Sequence, residues 1–195
     1  MKARHRIAHA TVSAAATLLL AGCGLIGSET PSTEKTKGPT MNMQDAADRA
    51  DAILDATFKA IKPGVQWTHG ETTTGSCDLS RRRAVMTVIS EQRRGNFLGL
   101  IQRHWEGEGF EITAVNKDKD LPAIYAESSD GFTLRMSIGG KGQAFFEVAT
   151  PCVKESAVSD PTTPSNGPNY AGGPIPRPDV TSDFWSSDSP APAKS

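Results

Sequence analysis

Residues 42–62 carry apolar side chains at Ala46, Ala50, Ile53, Leu54, Phe58 and Ile61, a spacing of three and four that predicts one face of an α-helix. Asp45, Asp48, Asp51 and Asp55 fall largely off that face and read as its solvated side; their helical spacing lacks the glycine-turned loop of a calcium-binding EF-hand. Pro63-Gly64 ends the element. Residues 65–74, with Trp67 and a run of threonines, suit a strand, and residues 83–90, with Val85, Met86, Val88 and Ile89, suit a second and better buried one. Gly95-Asn96 then opens a second helix over 97–106, whose Phe97, Leu98, Ile101 and Trp105 share a face, and Gly107 and Gly109 stop it. Four short strands follow at 110–115, 123–127, 132–138 and 144–150, separated by the charged turn 116–120, by Ser129-Asp130-Gly131 and by Gly139-Gly140-Lys141-Gly142. The order helix, two strands, helix, four strands predicts an α+β fold, a two-layer domain in which an antiparallel sheet packs against two helices.

Ahead of this domain the pattern changes character. Lys2, Arg4 and Arg6 precede an apolar run over 7–20, and small residues lead into Cys23, which is the layout of a secretory signal. The run is interrupted by His9, Thr11, Ser13 and Thr17 and falls short of the roughly 20 apolar residues a spanning helix needs. Leu20-Ala21-Gly22-Cys23 resembles the lipobox of bacterial lipoproteins. That resemblance implies diacylglycerol on the Cys23 sulfur, cleavage before Cys23, and a chain anchored by acyl chains, each buried methylene contributing about 0.8 kcal/mol. Residues 1–22 are then signal peptide, 23–41 a flexible tether and 42–153 the α+β domain. Residues 154–195, which hold eight of the 13 prolines, read as a disordered Pro/Ser-rich tail in which Phe184-Trp185 is either a short docking motif or an exposed pair.

Charge and cysteine usage follow from this layout. Three of the 21 basic residues lie in the signal, leaving 18 against 22 acidic ones, a mature charge near -4. A mildly acidic chain without a long basic run offers no electrostatic case for nucleic acid. Cys77 and Cys152 are destined for an oxidising compartment and are expected to form a disulfide that closes the domain. Removing the signal leaves His69 and His104 as the histidines, too few soft ligands for a zinc site, so neither metal nor cofactor is expected.

Candidate chemistry is sparse. Gly139-Gly140-Lys141-Gly142 lies between strands and lacks the strand-to-helix context of a P-loop. His104 with Glu106 and Glu108 offers acid and base groups at a helix end without a nucleophile motif beside them, and no catalytic residue is assigned. Arg81, Arg82 and Arg83 with Arg93 and Arg94 form a candidate basic patch for anionic headgroups or wall polymers, the other reading being ordinary solubilising arginines at strand ends. Trp67 and Trp105 either line an apolar pocket or fill the core.

The run Arg103-His104-Trp105-Glu106-Gly107-Glu108-Gly109-Phe110-Glu111-Ile112, with Gly131-Phe132-Thr133-Leu134 and Thr150-Pro151-Cys152, resembles small actinobacterial lipoproteins across the middle half of the chain. The resemblance implies location and fold and carries over no site residue beyond the lipobox. The expectation is a non-enzymatic lipoprotein anchored on the extracytoplasmic face of the cell membrane, binding an envelope protein or wall polymer. The alternative is a carrier or sensor of a small apolar ligand held between sheet and helices.

Overall fold

The computed structural model describes residues 41–170 and 173–189; the lipobox and the tether up to residue 40 lie outside them. Helix α1, Met43–Ala60, starts in a capping box: the Asn42 side chain accepts from the Asp45 amide, and the Asp45 carboxylate accepts from the Asn42 amide. Three strands follow, β1 Trp67–His69, β2 Thr73–Thr74 and β3 Leu79–Val85. Helix α2, Glu91–Gly107, leads to β4 Glu111–Asn116, β5 Ala123–Glu127, β6 Thr133–Ile138 and β7 Ala144–Ala149. The pairings among these strands are antiparallel, in the order β1-β3-β7-β6-β5-β4, with β2 on the end of β3. The α+β expectation holds: α1 packs on β3 and β7, and α2 on β4 and β5, making a helical layer on one face of the sheet.

The apolar spacing of both helices marks what they bury. Ala46, Ala50, Ile53 and Leu54 of α1, and Phe97, Leu98, Ile101 and Trp105 of α2, meet Ile124, Leu134, Met136, Phe146 and Val148 from the sheet. The Trp105 indole is 1% exposed and donates to Thr57 Oγ1 at 3.1 Å, so its one polar atom is satisfied inside the core. Gly109, at φ 84°, closes α2: its amide donates to the Glu106 carbonyl and the Phe110 amide to that of Trp105.

Three elements differ from expectation, the first being the strand at 65–74, which is split into β1 and β2. Helix α2 begins one and a half turns early, with Ser90 at the N-cap position, and Gly95 lies inside it with open space around its missing Cβ. A helical glycine costs about 1 kcal/mol, which the burial of Phe97, Leu98, Ile101 and Trp105 on the same helix outweighs. The second long strand is 79–85 rather than 83–90, so Arg81 and Arg82 lie within it beside Arg83 instead of before it.

Cys77 and Cys152 are bonded, with Cα atoms 4.7 Å apart. The bridge ties the end of the last strand back to the beginning of β3. Because β7 inserts beside β3, it staples the adjacent ends of two central strands, where the Val153 amide also donates to the Cys77 carbonyl. Closing a loop of 75 residues stabilises the fold by about 4 kcal/mol in the chain-entropy model.

The described part of the tail corrects the expectation of disorder. Lys154 pairs with Asn42, Thr163 reaches Asp55, Asn166 takes the β1 edge by accepting from the Trp67 amide, and the Tyr170 amide reaches Thr68. Trp185 is 1% exposed, edge-on to Phe97 at 5.0 Å, and donates to the Pro63 carbonyl at 2.6 Å. A segment poor in apolar residues is ordered because these few large side chains and its hydroxyl and amide groups find built partners. Trp185→Ala is therefore expected to lower unfolding free energy by about 3–5 kcal/mol, measured by urea denaturation; a change within error would mean that the tail does not hold this seat.

Candidate binding surface

The five arginines proposed as one basic patch are distributed over different surroundings. Side chains alternate along β3, so Arg81 and Arg83 point into the helical layer, each 1% exposed, while Arg82 points to the opposite face. Arg93 is 4% exposed, donates to the Phe184 carbonyl and stacks on the Phe184 ring at 4.6 Å. Arg94 donates to the carbonyls of Lys119 and Asp120. The patch reading is thus corrected: four of these side chains are committed to partners within the domain, and Arg82 pairs with Glu147 across the sheet.

Arg81 and Arg83 meet two of the aspartates expected to be solvated. Arg81 Nε is 3.2 Å from Asp51 Oδ2, and Arg83 donates to Asp55 Oδ1 at 2.5 Å. Residues two apart on a strand are separated by about 6.8 Å and residues four apart on a helix by about 6 Å, so two rungs form between β3 and α1. Arg83 also stacks on Trp67 at 4.0 Å, and Arg81 donates to Thr72 Oγ1 and the Ser159 carbonyl. Burial pushes the Asp51 carboxyl above the ordinary aspartate range against the lowering pull of Arg81 and Arg83, and burial lowers Arg83 despite Asp55. These groups neutralise one another in a packed interior, which marks them as a structural clamp.

The open part of the molecule is the outer face of the sheet over β4–β7. A hollow of about 290 Å³ lies there, lined by Thr113, Tyr125, Glu127, Thr133, Arg135 and Glu147 over a floor of Ala126, Leu134 and Ala149. Register puts Arg82, Glu147, Arg135 and Tyr125 in one row across β3, β7, β6 and β5. Glu147 accepts from Arg82 Nε at 3.1 Å and Nη2 at 3.2 Å, and from Arg135 Nη2 at 2.9 Å. Burial would raise the Glu147 pKa, but the Arg82 bond and the charges of Arg82 and Arg135 outweigh it and hold the carboxyl below the ordinary glutamate range. Tyr125 is 39% and Phe145 38% exposed on this same face.

A second hollow, about 380 Å³, lies between α2 at Gly95, Leu98 and Gly99 and the strand–loop segment holding Val115, Lys117 and Pro122. Among its rim charges Lys119 pairs with Glu91 at 2.7 Å and Arg94 lies 4.0 Å from Asp120. His104 sits 4.0 Å from Glu108, and no group of three or more metal-binding side chains occurs among the described residues. Gly139-Gly140-Lys141-Gly142 forms the β6–β7 connection, with Lys141 at φ 58°. A Cβ on Gly142 would fall on the Ile89 carbonyl, so glycine is required there for close packing.

Sequence reasoning passed over Tyr125, Arg135, Phe145 and Glu147. The alternation in 133–138 and 144–149 does place Arg135, Phe145 and Glu147 opposite the apolar face. Cross-strand register, which lines them up, is a tertiary property. No protein-family model matches the chain, and no curated protein matches it. The chain is similar to the crystal structure of a DUF4853 family protein from Actinomyces odontolyticus, with a TM-score of 0.39 and 12% identity, over 70% of this chain and 77% of that one. An overlap this loose carries no residue or activity across.

The clamp and the outer row make separate predictions. Arg81→Met strands the buried Asp51 carboxylate and is expected to cost about 3–5 kcal/mol, with much of the loss recovered when Asp51→Leu is added; equal losses for the single and double variants in denaturant titrations would contradict the clamp. Glu147, whose folded pKa is lowered, contributes stability that is full above its unfolded value and is lost as pH falls through the folded value. Asp51, whose folded pKa is raised, acts in the opposite sense and is common to both proteins compared. The stability difference between wild type and Glu147→Gln should accordingly shrink between about pH 7 and pH 3, and a pH-independent difference would show that the carboxylate charge is not what holds the row.

Proposed function

We propose that this protein is a lipid-anchored lipoprotein of the cell envelope, held on the extracytoplasmic face of the membrane through Cys23, whose domain binds an envelope component without catalysing a reaction. The observation that carries this reading is Leu20-Ala21-Gly22-Cys23 at the end of a basic-then-apolar leader. The Cys77–Cys152 bond suits an oxidising compartment. No helix among the described residues is long and apolar enough to cross a membrane, so on this reading attachment falls to the lipid. The first described residue, Met41, joins the domain beside Lys154, at the disulfide end of the sheet, where its carbonyl accepts from the Lys154 amide.

The interior supports partner binding over ligand carriage. Space between sheet and helices is occupied by Phe97, Trp105, Ile124, Met136 and Phe146, each at most 1% exposed, and both hollows described above open at the surface. The deepest polar groups, Arg81, Arg83 and Asp51, are committed to one another and to α1. What is left accessible is a face, which suits a large partner.

Cys23→Ala is expected to move the protein from the membrane pellet to the soluble fraction and to abolish metabolic labelling with palmitate. Retention of the variant in membranes after a salt wash would refute the anchor.

A further inference from the structure

We propose that the outer face of the sheet over β5, β6 and β7 is a glycan-binding surface for a neutral polysaccharide strand of the cell wall. This deepens the partner-binding reading and rests on it for the source of the glycan. Tyr125 and Phe145 are two of the three large hydrophobic side chains most exposed among the described residues, the third being Leu121 on the β4–β5 loop. Tyr125 pairs with Arg135 and Phe145 with Ser137, two residues further along β6. The rings therefore stand two strands and two residues apart, roughly 12 Å at the Cα atoms. Between them lie Arg135, Ser137 and Glu147, with Thr113 and Thr133 along the hollow.

That arrangement is unlike the core of a protein interface, where apolar side chains are contiguous and charge is depleted. Here each ring is isolated by hydrogen-bonding groups. A sugar strand has the matching chemistry: C–H faces that lie against aromatic rings and hydroxyls that donate to carboxylates and accept from guanidinium groups. Glu147 is fixed by Arg82 and Arg135, so its remaining lone pairs and the outward N–H groups of the half-exposed Arg135 are presented in a set geometry. Charge decides against an anionic or cationic polymer. Within the hollow and its row, Arg82 and Arg135 are balanced by Glu147 and Glu127, and Glu111 opposite Glu127 leaves a single carboxylate over, too little charge to attract a polyion. The hollow is open and shallow, and the helical layer lies on the opposite face, so a long strand can lie across it.

The test uses the full-length protein in detergent, with chitohexaose and protease-treated, protein-free wall polysaccharide as probes. Wild type should sediment with the polysaccharide, and binding should weaken about tenfold or more in Tyr125→Ala with Phe145→Ala, while Tyr125→Phe and Leu121→Ala bind as wild type. Near-ultraviolet circular dichroism and melting temperature verify that the variants remain folded, as half-exposed rings should allow. Failure of wild type to bind either probe, or equal binding by the double variant, overturns the proposal. So does loss of a protein crosslink on intact cells in the double variant with wall binding unchanged, which assigns the face to a protein. Because the sedimentation assay takes purified protein, its outcome is independent of whether Cys23 carries lipid.

Discussion

Strand β7, the last to be made, inserts between β3 and β6, and its antiparallel pairing with β3 is the contact on which the rest of the molecule depends. It converts a hairpin-like first half and a four-stranded meander into one continuous sheet. It brings residue 77 to residue 152, so that the disulfide closes a junction already defined by backbone hydrogen bonds. It also places α1 over the junction and α2 over the meander, so both helices cover the same face. The opposite face is left to present whatever β5, β6 and β7 carry outward.

At that junction the inner face carries charge as well as hydrocarbon. Arg81 and Arg83 occupy positions that would ordinarily be apolar, and are tolerated because the rise along a strand over two residues nearly matches the rise along a helix over four. The aromatic rings of Trp67 and Phe58 take up the faces of Arg83. A buried ion pair of this kind adds little net stability over a hydrophobic equivalent, but it matches α1 to β3 in one register: a slip by one residue turns the arginines to the outer face. The same alternation sends Arg82 outward to Glu147, so one run of three arginines builds both the interior clamp and the exterior row.

The tail completes what the sheet leaves open. Its residues cover the β1 edge through Asn166, fill the slot beside Phe97 with Trp185, and accept from Arg93 Nε through the Phe184 carbonyl. An exposed strand edge invites pairing with other chains, and here a segment of the same chain takes that role.

Much of this was legible along the chain. The apolar spacing of both helices and the turns at Ser129-Asp130-Gly131 and Gly139–Gly142 follow from local chemistry, because period and turn residues are written in adjacent positions. The bond between Cys77 and Cys152, 75 residues apart, was legible from cysteine usage alone, these being the two cysteines other than Cys23. The order of the strands, the burial of Arg81, Arg83 and Asp51, the seat of Trp185 and the exposed row of Tyr125, Arg135 and Glu147 were decided only by the tertiary structure. Each depends on residues far apart in sequence meeting at one register. A polar side chain looks the same in a sequence whether its partner is water or an aspartate nearly thirty residues away.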